Sequence, residues 1–451
     1  MQQIKHLAWR AGFGLSPAEY EHYLDSNREV YLDDLFRAAA NPQQISVPEK
    51  PIQGDLREMD RKKMLEIRLQ ERRRVAEFGY EWLQRMADPS APALLERMTL
   101  FWHGHFACET KLSPLAAKQL NTLRQHALGN FRELVLGIAR DPSMIRYLNN
   151  QQNRKEQPNE NFARELMELF TIGRGAYTEQ DVKEAARAFT GWSSTLRGDY
   201  VFRHYWHDNG TKSFLGKRGN FNGDDIVDML LERKQTARFI SQKIYRYFVS
   251  ETPNESREAS LAERFYQSGY DIGDLMRFLF EQDWFYAEEV IGSKIKSPVE
   301  LLAGMMRTHG IRFDNKLAPV FVLRTLGQQL FRPPNVAGWP SGQQWIDNST
   351  LMLRLNLSMA LLGNSQLQQR PPQNLKQEAR AQQIGRLKTT VTAAPLLRVA
   401  LQDSPQHSIE TLQDILLVRA KNIDPQFIYR HSQIGSAPEN TLLASARIKW
   451  D

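Results

Sequence analysis

The sequence predicts an all-α protein, a large multi-helix bundle-like fold with one small β-hairpin insertion. Three observations lead there. Helix starts of the Ser-Pro or Asp-Pro type recur at Ser16-Pro17, Ser113-Pro114, Asp141-Pro142, Ser297-Pro298 and Asp424-Pro425. Proline fits the first helical turn, where its missing N–H is not needed, and the preceding side chain accepts from the exposed donors. Alternating apolar segments are scarce, and no repeat of fixed period suggests a solenoid.

Taken in order, Ser16 with Glu19 and Ser297 with Glu300 make capping boxes, and Ser16, Ser113, Thr178 and Ser297 are the expected N-caps. Between Met59 and Met86, the residues Met64, Ile67, Val75, Phe78 and Trp82 recur at mostly helical spacing, which predicts a long amphipathic helix. A further helix starts at Thr178, supported by Asp181, and stops at Gly191. The β signal is Tyr200 to Leu215, where two short runs flank Asp208-Asn209-Gly210, suited to the positive backbone angles of a tight hairpin turn. The main helical domain is expected over 1–365. A polar, Gln-rich loop or linker containing Pro371-Pro372 follows over 366–393, then a packed helical unit over 394–451.

Composition narrows the classes. The 451 residues include 41% hydrophobic and 25% charged, which excludes global disorder and low-complexity chains. With 59 Lys+Arg against 52 Asp+Glu the net charge is +7, dilute over this length, and the cluster Arg72 to Arg74 lies among Glu66, Glu71 and Glu77. That reads as a solvated face, and no nucleic acid is expected as a partner. The single cysteine, Cys108, permits no intramolecular disulfide and no thiolate metal cluster. Met1 to Gly14 lacks a signal-type apolar run, and the apolar stretches Leu301 to Met306 and Ala318 to Leu323 are far short of the roughly 18 residues a membrane span needs. A soluble, cytoplasmic protein is expected. Walker, dinucleotide-glycine, nucleophile-elbow and His-Glu-x-x-His motifs are absent, which disfavours kinases, nicotinamide enzymes and serine hydrolases.

Four groupings carry possible chemistry. His103 and His105 bracket Gly104 in Phe101-Trp102-His103-Gly104-His105-Phe106. They form a metal-binding pair if the glycine lets the backbone leave helical geometry, and a hydrogen-bonded core pair otherwise. Asn161, Glu165 and Glu168 share one face of a helix, where two carboxylates and an amide suit metal coordination or acid/base work; the alternative is a solvated face with Arg164 paired to Glu168. His207, Asp208 and Lys212 sit in the predicted turn. Trp339, in the stiff segment Arg332-Pro333-Pro334-Asn335-Val336-Ala337-Gly338-Trp339-Pro340, is either a stacking platform for a sugar or ring or a buried latch on its loop.

Together the motifs HLAWRAGFG, ERMTLFWHGHF, PNENFARELMELFTIGRGAYTEQDVKEAARAFTGW, HDNGTKSFLG, ARFISQKIYRYFV, KSPVELL, LGQQLFRPPNVAGWP and LLASARIKW resemble the large bacterial family catalogued as domain of unknown function 1800. The resemblance runs from His6 nearly to the last residue. It implies one predominantly helical unit, often encoded beside a sulfatase-like protein whose family tends to carry export signals, so that export with this partner is the alternative to a cytoplasmic location. Members often carry His where this chain has Phe170, although Phe also occurs there; where that His is a ligand, a site here has one fewer.

Two functions follow as expectations. The first is a metal-dependent enzyme acting on an anionic or polar substrate. Its metal ligands would be His103, His105, Glu168, His207 and Asp208; its catalytic residues Glu165, Arg164 and Lys212; its substrate-binding residues Asn161 and Trp339. The N/O donor set suits a divalent zinc, manganese or non-haem iron ion. The second is a non-catalytic helical adaptor or scaffold for the co-encoded sulfatase-like protein.

Overall fold

The computed structural model describes residues 1–48, 60–195, 197–361 and 389–391. Three helices, α1 (Gln2–Ala11), α2 (Pro17–His22) and α3 (Arg28–Ala39), lead to the long α4 (Arg61–Ala87). Then come α5 (Ala93–His105), α6 (Ser113–His126), α7 (Phe131–Ala139) and α8 (Pro142–Tyr147). The short α9 (Asn161–Glu165) widens into a π-helical turn, Leu166–Thr171, and α10 (Glu179–Ala188) follows. A second run comprises α11 (Gly223–Leu231), α12 (Lys234–Phe248), α13 (Glu255–Gln267) and α14 (Ile272–Glu281). The last described helices are α15 (Pro298–His309), α16 (Leu317–Thr325) and α17 (Asn348–Leu361). The fold is mainly α, as the sequence indicates, and no described helix is long and apolar enough to cross a membrane.

Ser16, Thr178 and Ser297 close their capping boxes with Glu19, Asp181 and Glu300, and Asp141 accepts from the Ser143 and Met144 N–H groups. Ser113 does otherwise. It is the first residue of α6, behind Leu112, and both its N–H (2.9 Å) and its hydroxyl (3.1 Å) donate to the buried Glu71 carboxylate on α4. The start was legible, but the orphan donor is met by a neighbouring helix instead of a local cap. Asp424-Pro425 and the expected unit over 394–451 lie outside the described residues.

The single predicted hairpin is replaced by two small antiparallel pairs. β1 (Trp192–Ser194) pairs with β2 (Tyr200–Phe202), and β3 (Lys212–Phe214) with β4 (Lys217–Gly219). The β3–β4 turn is Leu215-Gly216, both at positive φ, so Asp208-Asn209-Gly210 connects two pairs and closes neither. A third pair joins β5 (Ile311–Phe313) to β6 (Thr389–Val391), placing three residues of the expected linker against the main domain.

The apolar interior forms two clusters. One gathers α1, α3, α5, α7 and the run from α9 to α14; the other gathers α4, α15, α16 and α17 with parts of α5 and α6. Helix α5 lies between them with every residue but Gly104 buried. Its Glu96 carboxylate is fully buried and accepts from Trp82 Nε1 (2.9 Å), Arg85 Nε (2.8 Å) and Arg124 Nη2 (2.7 Å). Two kinds of polar contact are therefore expected to differ in weight. Thr178→Ala, which removes a surface cap, should cost about 1 kcal/mol. Glu96→Leu, which strands the buried Arg124, should cost about 3–5 kcal/mol. Urea denaturation of both variants checks the ranking.

Candidate functional site

Helix α5 stays regular through His105, so its two histidines diverge by about 200° around the axis. His103 is packed among Trp82, Phe331 and Trp339, and its Nε2 accepts the Phe331 N–H at 3.1 Å. Burial drives its pKa down to about 3, as befits a neutral acceptor. His105 lies on the other side. Its Nε2 donates to the Phe170 carbonyl at 3.0 Å, and its Nδ1 faces Lys243 Nζ at 3.3 Å. Lys243 also donates to the Leu169 carbonyl at 2.9 Å, so the two side chains cap carbonyls at the end of the π turn that no following helix uses. Burial, then Lys243, holds His105 well below the usual imidazole range.

The other expected ligands are engaged locally. Glu168 pairs with Arg174 and accepts from Tyr177 Oη at 3.3 Å, while burial and then Glu168 raise the pKa of half-buried Glu165. Arg164 bridges Glu160 (3.0 Å) and Glu179 (2.8 Å), and Asn161 is exposed. His207 Nδ1 donates to the Thr190 carbonyl at 2.9 Å, and Asp208 pairs with Arg187 at 2.7 Å. Buried Lys212 donates to the Asp208 and Gly210 carbonyls, at 2.6 and 3.1 Å, and so pins the turn. The expected meeting of the three segments is thus corrected: a regular α5 separates the histidines, and local partners hold the rest. Among the described residues no three His, Cys, Asp or Glu side chains are grouped to hold a metal ion.

Surplus charge gathers elsewhere. A chamber of about 50 Å³ is lined by Arg10, Arg97, Lys294, Lys296 and Glu300, with His6, Trp9, Phe13 and Gly292 completing its wall: four basic side chains and a histidine face one carboxylate. Arg10, from α1, donates to the Val290 carbonyl at 2.8 Å. Arg97, from α5, pairs with Glu300 and lies 4.9 Å from the Tyr247 ring centre. Lys294 sits 4.2 Å from the same ring and Lys296 3.4 Å from Trp9, good cation–π distances. Glu300 is fixed by its capping box, accepting the Ser297 N–H at 2.5 Å.

The charges strain one another. Burial first, against Glu300 and with Arg97 and Arg10 adding, pushes both Lys294 and Lys296 down to about 7, Glu251 also opposing at Lys294. Arg10 falls to about 9 through burial and then Arg97. Burial acts to raise the Glu300 pKa, but Arg97, Lys294 and the Ser297 N–H prevail and hold it near 2. Among the described residues, Arg97 Nε and Tyr247 Oη are buried without a hydrogen-bond partner.

A larger cleft of about 220 Å³ adjoins the chamber, sharing Lys294 and Glu300. Phe101, Trp339, Pro340 and Trp345 line it with apolar surface, and Lys243, Arg246 and Glu251 with charge. Trp339 is half-buried against His103, ring centres 5.4 Å apart. Its loop lies directly on α5: Gly338 has φ +89°, and a Cβ there would strike the Gly104 carbonyl.

The chamber residues belong to none of the sequence groupings above, although the sequence carries a signal of them. Arg97 interrupts the apolar run ALLERMTLF, Arg10 lies in HLAWRAGFG, and Lys294 and Lys296 precede a capping box. Charges lodged in apolar patterns are buried ones, and buried charges need partners.

A family model described as Protein of unknown function (DUF1800) matches residues 6–429. No curated protein and no solved structure matches the chain. From the geometry, His103→Ala should lower stability by about 1–3 kcal/mol, the cost of leaving the Phe331 N–H unpaired. Elemental analysis of chelator-free protein should find zinc, manganese and iron content unchanged; a fall in bound metal would make His103 a ligand.

Proposed function

The chain belongs to the DUF1800 family of proteins of unknown function, and from that premise we propose that it binds an anionic ligand in the chamber formed by Arg10, Arg97, Lys294 and Lys296. The observation that carries this reading is the gathering of four basic side chains around one carboxylate in a single small cavity. Like charges brought together out of water repel, and an anion relieves that repulsion. Perturbed lysines in a cleft are also what functional sites commonly display.

The chamber has room for roughly three waters, about the size of one tetrahedral oxyanion. A phosphate or sulfate group fits that space and offers acceptors on all sides. The expectation of an anionic substrate is therefore kept, with its anchors moved. Arg164 and Lys212 already serve carboxylates and backbone carbonyls, whereas the chamber's cations outnumber their acidic partner. An enzyme that transforms the anion and an adaptor that only holds it both need this recognition step.

Isothermal calorimetry with inorganic phosphate and with sulfate tests the reading. Lys294→Met and Lys296→Met keep the apolar stem and should each weaken binding about tenfold or more, the loss expected for one charge-assisted hydrogen bond. The pH dependence has a definite sign. The bound anion favours the charged lysines, so affinity should be greatest below pH 7 and fall as pH rises, with protons taken up on binding between pH 7 and 8. Binding of neither anion to the wild-type protein would refute the proposal.

A further inference from the structure

A cleft of about 730 Å³ runs along the first half of α4 and shares no residue with the chamber. Its floor is apolar: Met64, Ile67 and Val75 come from α4, Leu112 from the start of α6, and Leu330 and Phe331 from the segment after α16. Outside the cleft, but on the same stretch of helix, Leu65 and Leu69 are 57% and 58% exposed and one turn apart. From Met64 to Val75 this surface measures about 16 Å, three turns of helix. A compact ligand held in the cleft would leave the two leucines in water, whereas an occupant lying along α4 covers them as well.

Charge tells what that occupant carries. Arg68 and Arg72 stand on the rim, also one turn apart, and make no ion pair among the described residues. The carboxylates of the cleft are committed elsewhere: Glu71 accepts from Ser113 and Arg74, and Glu109 faces Lys111 at 3.6 Å and Arg332 at 3.7 Å. Like charges at this spacing repel, so the rim matches a segment with two carboxylates one turn apart beside an apolar stripe.

The chain itself holds such a segment, beyond the described residues. In residues 409–420, Ile409, Leu412 and Leu416 recur at helical spacing, and Glu410 and Asp414 stand four apart on their flank. The last described residue, Val391, pairs with Ile311 on β5, and β5 lies against α4, where Tyr80 Oη donates to the Phe313 carbonyl at 3.4 Å. The seventeen residues between Val391 and Ile409 can span about 55 Å when extended, more than the length of α4. We propose that residues 409–420 dock along α4, with Ile409, Leu412 and Leu416 toward the cleft and Glu410 and Asp414 opposite Arg68 and Arg72. The C-terminal unit is then held against the main domain at this face.

Photocrosslinking and hydrogen exchange of the full chain test this. With p-benzoylphenylalanine in place of the exposed Leu65, ultraviolet light should join that position to a peptide within 409–420. Mixing isotope-labelled and unlabelled chains should show that the link lies within one chain. Arg68 and Arg72 are exposed, so reversing their charge leaves the core in place. In Arg68→Glu with Arg72→Glu, exchange protection of the 409–420 amides should fall about tenfold, the factor two surface ion pairs supply, and adding Glu410→Arg and Asp414→Arg should restore it to within about threefold of wild type. A crosslink to another segment, to a second copy or to nothing overturns the proposal. So does protection that the reversal leaves unchanged or the charge swap leaves unrestored.

Discussion

Helix α5 is enclosed by protein, so every polar group it carries must find a partner inside the fold. Much of the arrangement follows from how those needs are met. Glu96 draws Trp82, Arg85 and Arg124 around it and so ties α4 and α6 to α5. Arg97, the next residue and about 100° further around the axis, takes Glu300 from α15. His103 receives the Phe331 N–H and fastens the loop that carries Trp339, while His105 closes the end of the π turn. A single buried helix thereby sets the position of elements from both apolar clusters.

The two ionic groups on α5 have opposite outcomes. Around Glu96 a carboxylate is surrounded by neutral and cationic donors, and its lone pairs are used. Around Arg97 the pairing is incomplete, because Arg10, Lys294 and Lys296 crowd the same carboxylate. The first is a structural junction. The second gathers four basic side chains around one carboxylate, which on the anion-binding reading makes it the place of recognition.

What could be read in the sequence was what is local. Ser16, Thr178 and Ser297 were legible because a cap and its reciprocal partner lie within four residues. Ser113 departs from its expected cap because its partner, Glu71 on α4, lies 42 residues upstream. The Asp208-Asn209-Gly210 turn was real in chemistry and wrong in pairing, since strand partners are chosen by contacts the turn does not encode. His103 and His105 attracted attention as neighbours in sequence, yet helical geometry sends neighbours apart. The chamber escaped notice for the complementary reason: Arg10, Arg97 and the two lysines come from three distant segments, and only packing brings them together. Trp339 lay between these cases, its aromatic loop visible and its place beside the chamber not.

Glu300 serves two masters. The carboxylate that balances the chamber is also the one that accepts the Ser297 N–H and completes the first turn of α15, a helix buried within the second apolar cluster. Charge in the chamber and integrity of that turn are consequently one equilibrium, and whatever occupies the chamber also alters how firmly α15 is seated. An anion in the chamber would therefore act next to the residue that closes the first turn of α15, so its binding would be read in the stability of that helix as well as in the charge of the site.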